Sequence, residues 1–293
     1  MDYMIRAIDK KQSFRLFMVK STNTVDEARL YHNTTPTASA ALGRTLTAGL
    51  MMGYMMKNEK DRLTININGG GPLGTILVVS DNSGNVKGYV SNPSVDLPLT
   101  EKGKLNVGAA VGTNGKVTVI MDIGLREPYV GSTDLVTGEI GEDLAYYYYL
   151  SEQQNTAVAL GVLVDRDYSI KSAGGFIVQT LPFIEEEDLE KLENTLNNLK
   201  SVSDYFDNDK DVEEIAKEIF SEFEIEILDK IPVAFNCDCS EERMEGGLIS
   251  LGKQELKEII EEDGKIETVC HFCNKKYIFE GDKLKNILKY IEE

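Results

Sequence analysis

Along the first 183 residues, apolar and polar positions alternate in short runs punctuated by turn residues, the pattern of strands packed on one face. Leu63–Asn68, Thr75–Ser80, Val86–Val90 and Val117–Asp122 read this way, and Phe14–Lys20, Val158–Val164 and Phe176–Leu181 read as further strands. The four runs between Leu63 and Asp122 predict a meander of antiparallel strands. A different pattern follows Pro36: residues Thr37–Met56 are small or apolar on every side, which predicts a buried helix. Gly141–Ser151 predicts a second helix, because Glu142 and Asp143 sit where a helix N-terminus favours negative charge. The expected fold class is α+β.

Beyond Phe183 the period lengthens. Leu189, Leu192, Leu196 and Leu199 recur every three or four residues, and Val212, Ile215, Ile219 and Phe223 repeat the pattern after an acidic break at Asp204–Asp211. Two amphipathic helices are expected, each needing a surface to cover its stripe. A third region opens near Ile231, with a helix over Leu251–Ile260, a strand over Lys276–Glu280 and a closing helix from Asp282. The organisation expected is an α+β core domain over 1–183, a helical linker over 184–230 and a small domain over 231–293.

Charge sharpens this division. The formal net charge is −18, which argues against a nucleic-acid or anionic membrane partner. Residues 1–183 carry 17 basic and 18 acidic side chains, residues 184–230 carry 5 and 17, and residues 231–293 carry 9 and 14. Two thirds of the excess therefore lies in the linker. Like-charge neighbours such as Glu185–Asp188 and Asp207–Asp211 each cost roughly 0.2–0.5 kcal/mol on a helix, so a marginally stable segment is expected.

One motif is a decoy. Gly69-Gly-Gly71-Pro-Leu-Gly74 satisfies G-x-G-x-x-G, but the residues that follow it, Thr75–Ser80, read as a strand. Without a helix N-terminus to receive a pyrophosphate, the dinucleotide mechanism is missing.

The candidate chemistry lies in four cysteines, Cys237-Asp-Cys239 and Cys270-His-Phe-Cys273, with thirty residues between the pairs and no cysteine elsewhere. Two short-range pairs on separate loops can deliver four thiolates to one tetrahedral Zn2+. They can also form disulfides, for which four cysteines allow three pairings. No signal-like apolar stretch or membrane-length run is seen, so a reduced, cytoplasmic resting state with one zinc on Cys237, Cys239, Cys270 and Cys273 is expected. So few large apolar groups in the last sixty-odd residues leave part of the folding energy to the metal.

Other chemistry is weaker. His32 and His271 are the only histidines, and neither sits in a motif with a nucleophile, so no catalytic residue is expected and the chain reads as a non-enzyme. His32 reads as a surface or loop residue. His271 reads as a neighbour of the metal shell or a solvated side chain, since four sulfurs already complete the coordination. A zinc-ribbon nucleic-acid binder is an alternative, disfavoured by the acidic cysteine region. A thiol-disulfide oxidoreductase is another, disfavoured because Cys270 lies between two probable strands rather than at a helix start.

Together these features describe a switch. Oxidation of the thiolates would remove the ligands for zinc, the small domain would lose folding energy, and the acidic helices would lose a neighbour, exposing apolar surface for binding. The chain also resembles the redox-regulated chaperones called heat-shock protein 33. The resemblance is carried by Ala41-Leu-Gly-Arg44, Gly70–Gly74, Gly88–Pro93, Gly103-Lys-Leu105, Pro128–Gly131, Gly138-Glu-Ile140, Ser151-Glu-Gln153, Ala173–Phe176, Ser250–Lys253 and both cysteine pairs, in order over nearly the whole chain. It implies an ATP-independent holdase that is inactive when reduced and zinc-bound. Activation would follow when Cys237 pairs with Cys239 and Cys270 with Cys273, zinc leaves, the linker unfolds and a homodimer forms. Its partners would be unfolding client proteins.

Overall fold

The computed structural model describes residues 1–207 and 210–292 and divides the chain into two compact units, Met1–Asn236 and Cys237–Glu293. Asn208 and Asp209, part of the expected acidic break, lie outside the described residues.

In chain order the first unit contains β1 (Tyr3–Asp9), β2 (Phe14–Lys20), α1 (Thr22–His32), α2 (Pro36–Tyr54), β3 (Arg62–Asn68), β4 (Ile76–Ser80) and β5 (Asn85–Val90). There follow α3 (Val107–Val111), β6 (Lys116–Asp122), β7 (Tyr129–Asp134), α4 (Gly141–Ser151), β8 (Thr156–Val164) and β9 (Ile170–Thr180). The stretch expected to be a linker supplies α5 (Glu186–Asn197), α6 (Val202–Phe206) and α7 (Val212–Ile219), then β10 (Ile225–Pro232) and β11 (Ala234–Phe235). The fold class is α+β, built on a five-stranded sheet of order β10-β1-β2-β9-β8 and a six-stranded sheet of order β11-β5-β4-β3-β6-β7.

The buried helix sits where its composition demands. α2 packs against β8 and β9 of the first sheet and β3, β4 and β5 of the second. Its small residues let a strand and a helix approach closely: a Cβ on Gly49 would meet Val78 Cγ1 of β4 at 2.7 Å, and one on Gly43 would meet Val25 Cγ1 of α1 at 2.5 Å. The second sheet alternates cleanly, with Leu63, Ile65, Ile67, Val78 and Val119 turned inward and fully or almost fully buried. The meander expected there is only partly found. β3–β4 and β4–β5 are hairpins, but β6 returns beside β3 after a long crossing connection, and β7 adds outside it.

The glycine-rich loop explains its own decoy. Gly71 N donates to Val111 O at 2.9 Å and Leu73 N to Ala110 O at 3.0 Å, while a Cβ on Gly69 would lie 2.1 Å from Gly112 O. Those amides face protein carbonyls and the glycines permit backbone-to-backbone packing, so no phosphate cradle exists. Helix α4 forms as expected, through more than its dipole: buried Asp143 accepts hydrogen bonds from the amides of Val136, Thr137 and Ile140 at 2.7, 3.0 and 3.0 Å. His32 departs from expectation. It ends helix α1, is buried, and its Nε2 lies 3.0 Å from Gly88 O, because α1 packs on β5.

The five-stranded sheet is covered on both faces. α2 takes one, and α5, α6 and α7 take the other, where Leu192, Phe206, Val212, Ile215, Ala216, Ile219 and Phe220 meet Ile5, Phe14, Leu16, Met18, Phe176 and Val178. Phe220 lies 5.5 Å from Phe14 and 5.6 Å from Phe176, ring centre to ring centre. Two glycines seat α6: a Cβ on Gly161 would be 2.4 Å from Ser203 N, and one on Gly174 2.6 Å from the Phe206 ring. The helix α6 inside the expected acidic break follows from Phe206, whose burial outweighs the local charge. Phe223, expected in the second helix, lies beyond α7 but packs edge-on against Phe14 at 5.0 Å.

The second unit contains α8 (Glu241–Ile249), α9 (Lys253–Asp263), β12 (Lys265–Val269), β13 (Lys276–Glu280) and α10 (Asp282–Glu292). β12 and β13 form an antiparallel hairpin. Its core is small: Leu248, Leu256, Ile266, Cys270, Tyr277, Phe279, Leu284 and Ile287.

Candidate metal centre

The hairpin β12–β13 builds half of the site. Cys270 directly follows β12, and Asn274 at φ 56° turns the chain so that Asn274 N donates to Cys270 O at 2.8 Å and Cys270 N to Lys275 O at 3.0 Å. Asn is among the few residues that enter the left-handed region at low cost. This tight turn places Cys273 beside Cys270. The other half is the extended segment Cys237–Cys239 before α8, where residues two apart point the same way.

All four cysteines are free thiols, and their sulfurs lie within 4.8 Å of one another. Cys237 Sγ is 3.6 Å from Cys270 Sγ, and Cys239 Sγ is 3.5 Å from Cys273 Sγ. Sulfurs about 2.3 Å from a tetrahedral ion would be roughly 3.8 Å apart, so the cluster has the dimensions of a thiolate metal site. The donor set fits Zn2+: four soft thiolates close the shell. His271 is exposed and lies outside this four-sulfur group.

The protonation balance is uneven. Burial pushes the Cys237 thiol up, against a hydrogen bond from the Cys239 amide, and burial likewise raises Cys273. Burial also acts to raise Cys239, but a hydrogen bond from the Tyr277 hydroxyl at 3.1 Å and contacts with Cys273, Cys237 and Cys270 outweigh it and bring Cys239 down to about 7. Tyr277 is the residue of this cluster that motif spacing misses. Its position seven residues after Cys270, alternating with exposed Lys276 and Ile278 on β13, reads simply as a core-facing strand residue.

A four-thiol cluster able to hold a metal, on a small hairpin unit that follows a two-sheet α+β unit with a charged helical segment over one sheet, defines the class of protein. The comparisons with known proteins narrow the class. A family profile described as Hsp33 protein matches residues 2–280. The chain is 52% identical over 291 residues to the 33 kDa chaperonin of Caldanaerobacter subterraneus subsp. tengcongensis, covering 99% of each chain. It is 51% identical to the 33 kDa chaperonin of Clostridioides difficile, covering 98% of this chain and 99% of that one. The crystal structure of a 33 kDa chaperonin, a heat shock protein 33 homologue from Thermotoga maritima, superposes with a TM-score of 0.90 at 37% identity, covering 98% of both chains. The chain belongs to the Hsp33 family, and that membership supports a chaperone role.

Proposed function

We propose that this protein is a redox-regulated, ATP-independent holdase of the cytoplasm that protects unfolding proteins from aggregation. In the resting state Cys237, Cys239, Cys270 and Cys273 hold one Zn2+, which when bound keeps the sulfurs deprotonated and ties two loops of a weakly cored unit together. Two peroxide molecules, one for each local pair, each take two electrons and with two protons leave as two waters, while one S–S bond forms between Cys237 and Cys239 and another between Cys270 and Cys273 and the Zn2+ is released to solvent. The ligand set is then gone. Residues 184–230 act as a metastable linker between a core domain, 1–183, and a redox domain, 231–293; they leave the sheet, and two copies associate.

The observation that carries this reading is the covered face of the five-stranded sheet. Ile5, Phe14, Leu16, Met18, Phe176 and Val178 are buried beneath the most acidic segment of the chain. Release of that segment would leave an apolar surface of the kind that binds protein. Tyr3 and Ser13 mark where the cover is fastened: Tyr3 Oη donates to Glu213 at 2.5 Å, and Ser13 Oγ to Asp188 at 3.1 Å.

The test compares reduced and peroxide-treated protein for suppression of light scattering by a heat-unfolding client, with peptide mapping of the disulfides. Suppression only after oxidation, with local pairs formed, is expected. Cross-loop pairs Cys237–Cys270 and Cys239–Cys273, which already lie side by side in the reduced cluster, would overturn the proposed connectivity.

A further inference from the structure

β8 is the terminal strand of the five-stranded sheet, and no further strand pairs with its outer edge; the start of α4 reaches that edge at Val158, whose carbonyl oxygen would lie 3.2 Å from a Cβ on Gly141, and beyond it the edge carries no covering strand. Ser21 N donates to Ala173 O at 2.9 Å, so Ala173 and its alternates Gly175 and Ile177 turn their backbone groups towards β2. Gly174, Phe176 and Val178 therefore serve Gly161, Ala159 and Ala157 of β8. The amides and carbonyls of Val158, Leu160 and Val162 point out of the sheet, and none hydrogen-bonds to another described residue. Protein edges are ordinarily blunted by charges, prolines or a covering element. The sequence of β8, Thr-Ala-Val-Ala-Leu-Gly-Val-Leu-Val, has neither a charge nor a proline.

Two cavities run end to end beside this edge. One, ≈ 700 Å³, is lined by Val158, Ala159 and Leu160; the other, ≈ 630 Å³, continues along Leu160–Arg166. They share Arg44, Lys104, Leu105, Leu160 and Val202, so the loop that carries Lys104 and Leu105 faces the strand across a slot. Their lining carries five basic and five acidic side chains, an even balance in a chain of net charge −18.

We propose that the outer edge of β8 captures an extended segment of an unfolded polypeptide as an added strand. The backbone of the guest supplies the missing ladder, its alternate side chains enter the two cavities, and the neutral lining accepts segments without regard to sequence. The two cavities follow the chain from Val158 to Arg166, the reach of one added strand. A second copy of this sheet would bring its own facing loop into the same space. The occupant's identity rests on the chaperone reading, and α6, which lines one wall, would widen the slot on leaving.

Site-resolved amide exchange on the oxidised full-length protein tests this, with reduced, carboxymethylated α-lactalbumin as the client. The amides of Val158, Leu160 and Val162 should exchange fast alone and slow by about tenfold or more with client bound, while those of Ala157, Ala159 and Gly161 are slow throughout. Client binding without that protection overturns the edge proposal and leaves the holdase reading standing; no client binding overturns both. Protection that grows with protein concentration in the absence of client assigns the edge to a second copy and overturns the proposed occupant. Proline removes an outward donor at an edge position with little effect on the ladder. Leu160→Pro and Val162→Pro should therefore weaken client binding by about tenfold with zinc release and linker cleavage unchanged, and unaltered affinity in both would refute the proposal.

Discussion

Truncating Phe220 to alanine separates the cover from the sheet beneath it. Phe220 has no exposed surface and stacks with Phe14 and Phe176, which stay in the sheet when the cover leaves. Losing a fully buried phenylalanine costs about 3–5 kcal/mol. If the cover releases as a unit, the whole loss falls on its docked state and shifts the docked–released equilibrium by about 10²–10⁴. The four thiols lie in the other compact unit, so the substitution leaves the ligand set intact. Reduced, zinc-loaded Phe220→Ala should be cleaved rapidly within 184–224 by a dilute protease, because cleavage follows the population of the open form. It should also suppress client aggregation without oxidant. A cleavage rate equal to that of the parent protein would refute the reasoning, as would loss of the whole α+β unit in one transition, which would make the segment part of an indivisible core.

Gly161→Ala should loosen the same segment from outside it, since the new methyl meets the Ser203 backbone; linker cleavage should accelerate by an amount matching about 1–3 kcal/mol of overpacking, read against Gly246→Ala, whose Cβ meets no atom. Tyr277→Phe should raise the thiolate absorbance midpoint of the metal-free protein above the value of about 7 held by Cys239, and weaken zinc binding by about tenfold in a chelator competition. Cys270→Ser should bind zinc more weakly still and make the linker easier to cleave under reducing conditions. Burial pushes the Glu213 carboxyl up, but hydrogen bonds from Lys230 and Tyr3 outweigh it and hold it below the ordinary value of 4.5. Its contribution is therefore present above pH 4.5 and lost as pH falls through the lower folded value, and Glu213→Gln should flatten the acid limb of linker cleavage.

The one-sided sheet was legible because alternation survives wherever a strand has a dry and a wet face, as in β3 to β6. β1 escaped notice because both its faces are covered, which erases the period. β10, Ile-Glu-Ile-Leu-Asp-Lys-Ile-Pro, alternates in burial but not in sequence, because Leu228 is exposed and Asp229 takes an inner position; its acidity reads as a continuation of the charged helices, and only its pairing with β1 identifies it. α8 holds Gly246 and Gly247 in its interior, which argues against a helix, yet Ser240 Oγ caps it by accepting from Arg243 N. Of the candidate metal centre, the four cysteines that the fold brings together were legible from spacing alone. The Tyr277 hydroxyl was not, because a hydrogen bond to sulfur depends on how the hairpin closes rather than on residue order.

The central claim is that one event at the four thiols releases metal and creates binding activity together. Its most direct test follows zinc with a chromogenic chelator and client light scattering in the same cuvette, before and after peroxide with mild heat. The expected result is a silent reduced protein, then zinc release accompanied by suppression of scattering. Full suppression by the reduced, zinc-loaded protein would contradict the account.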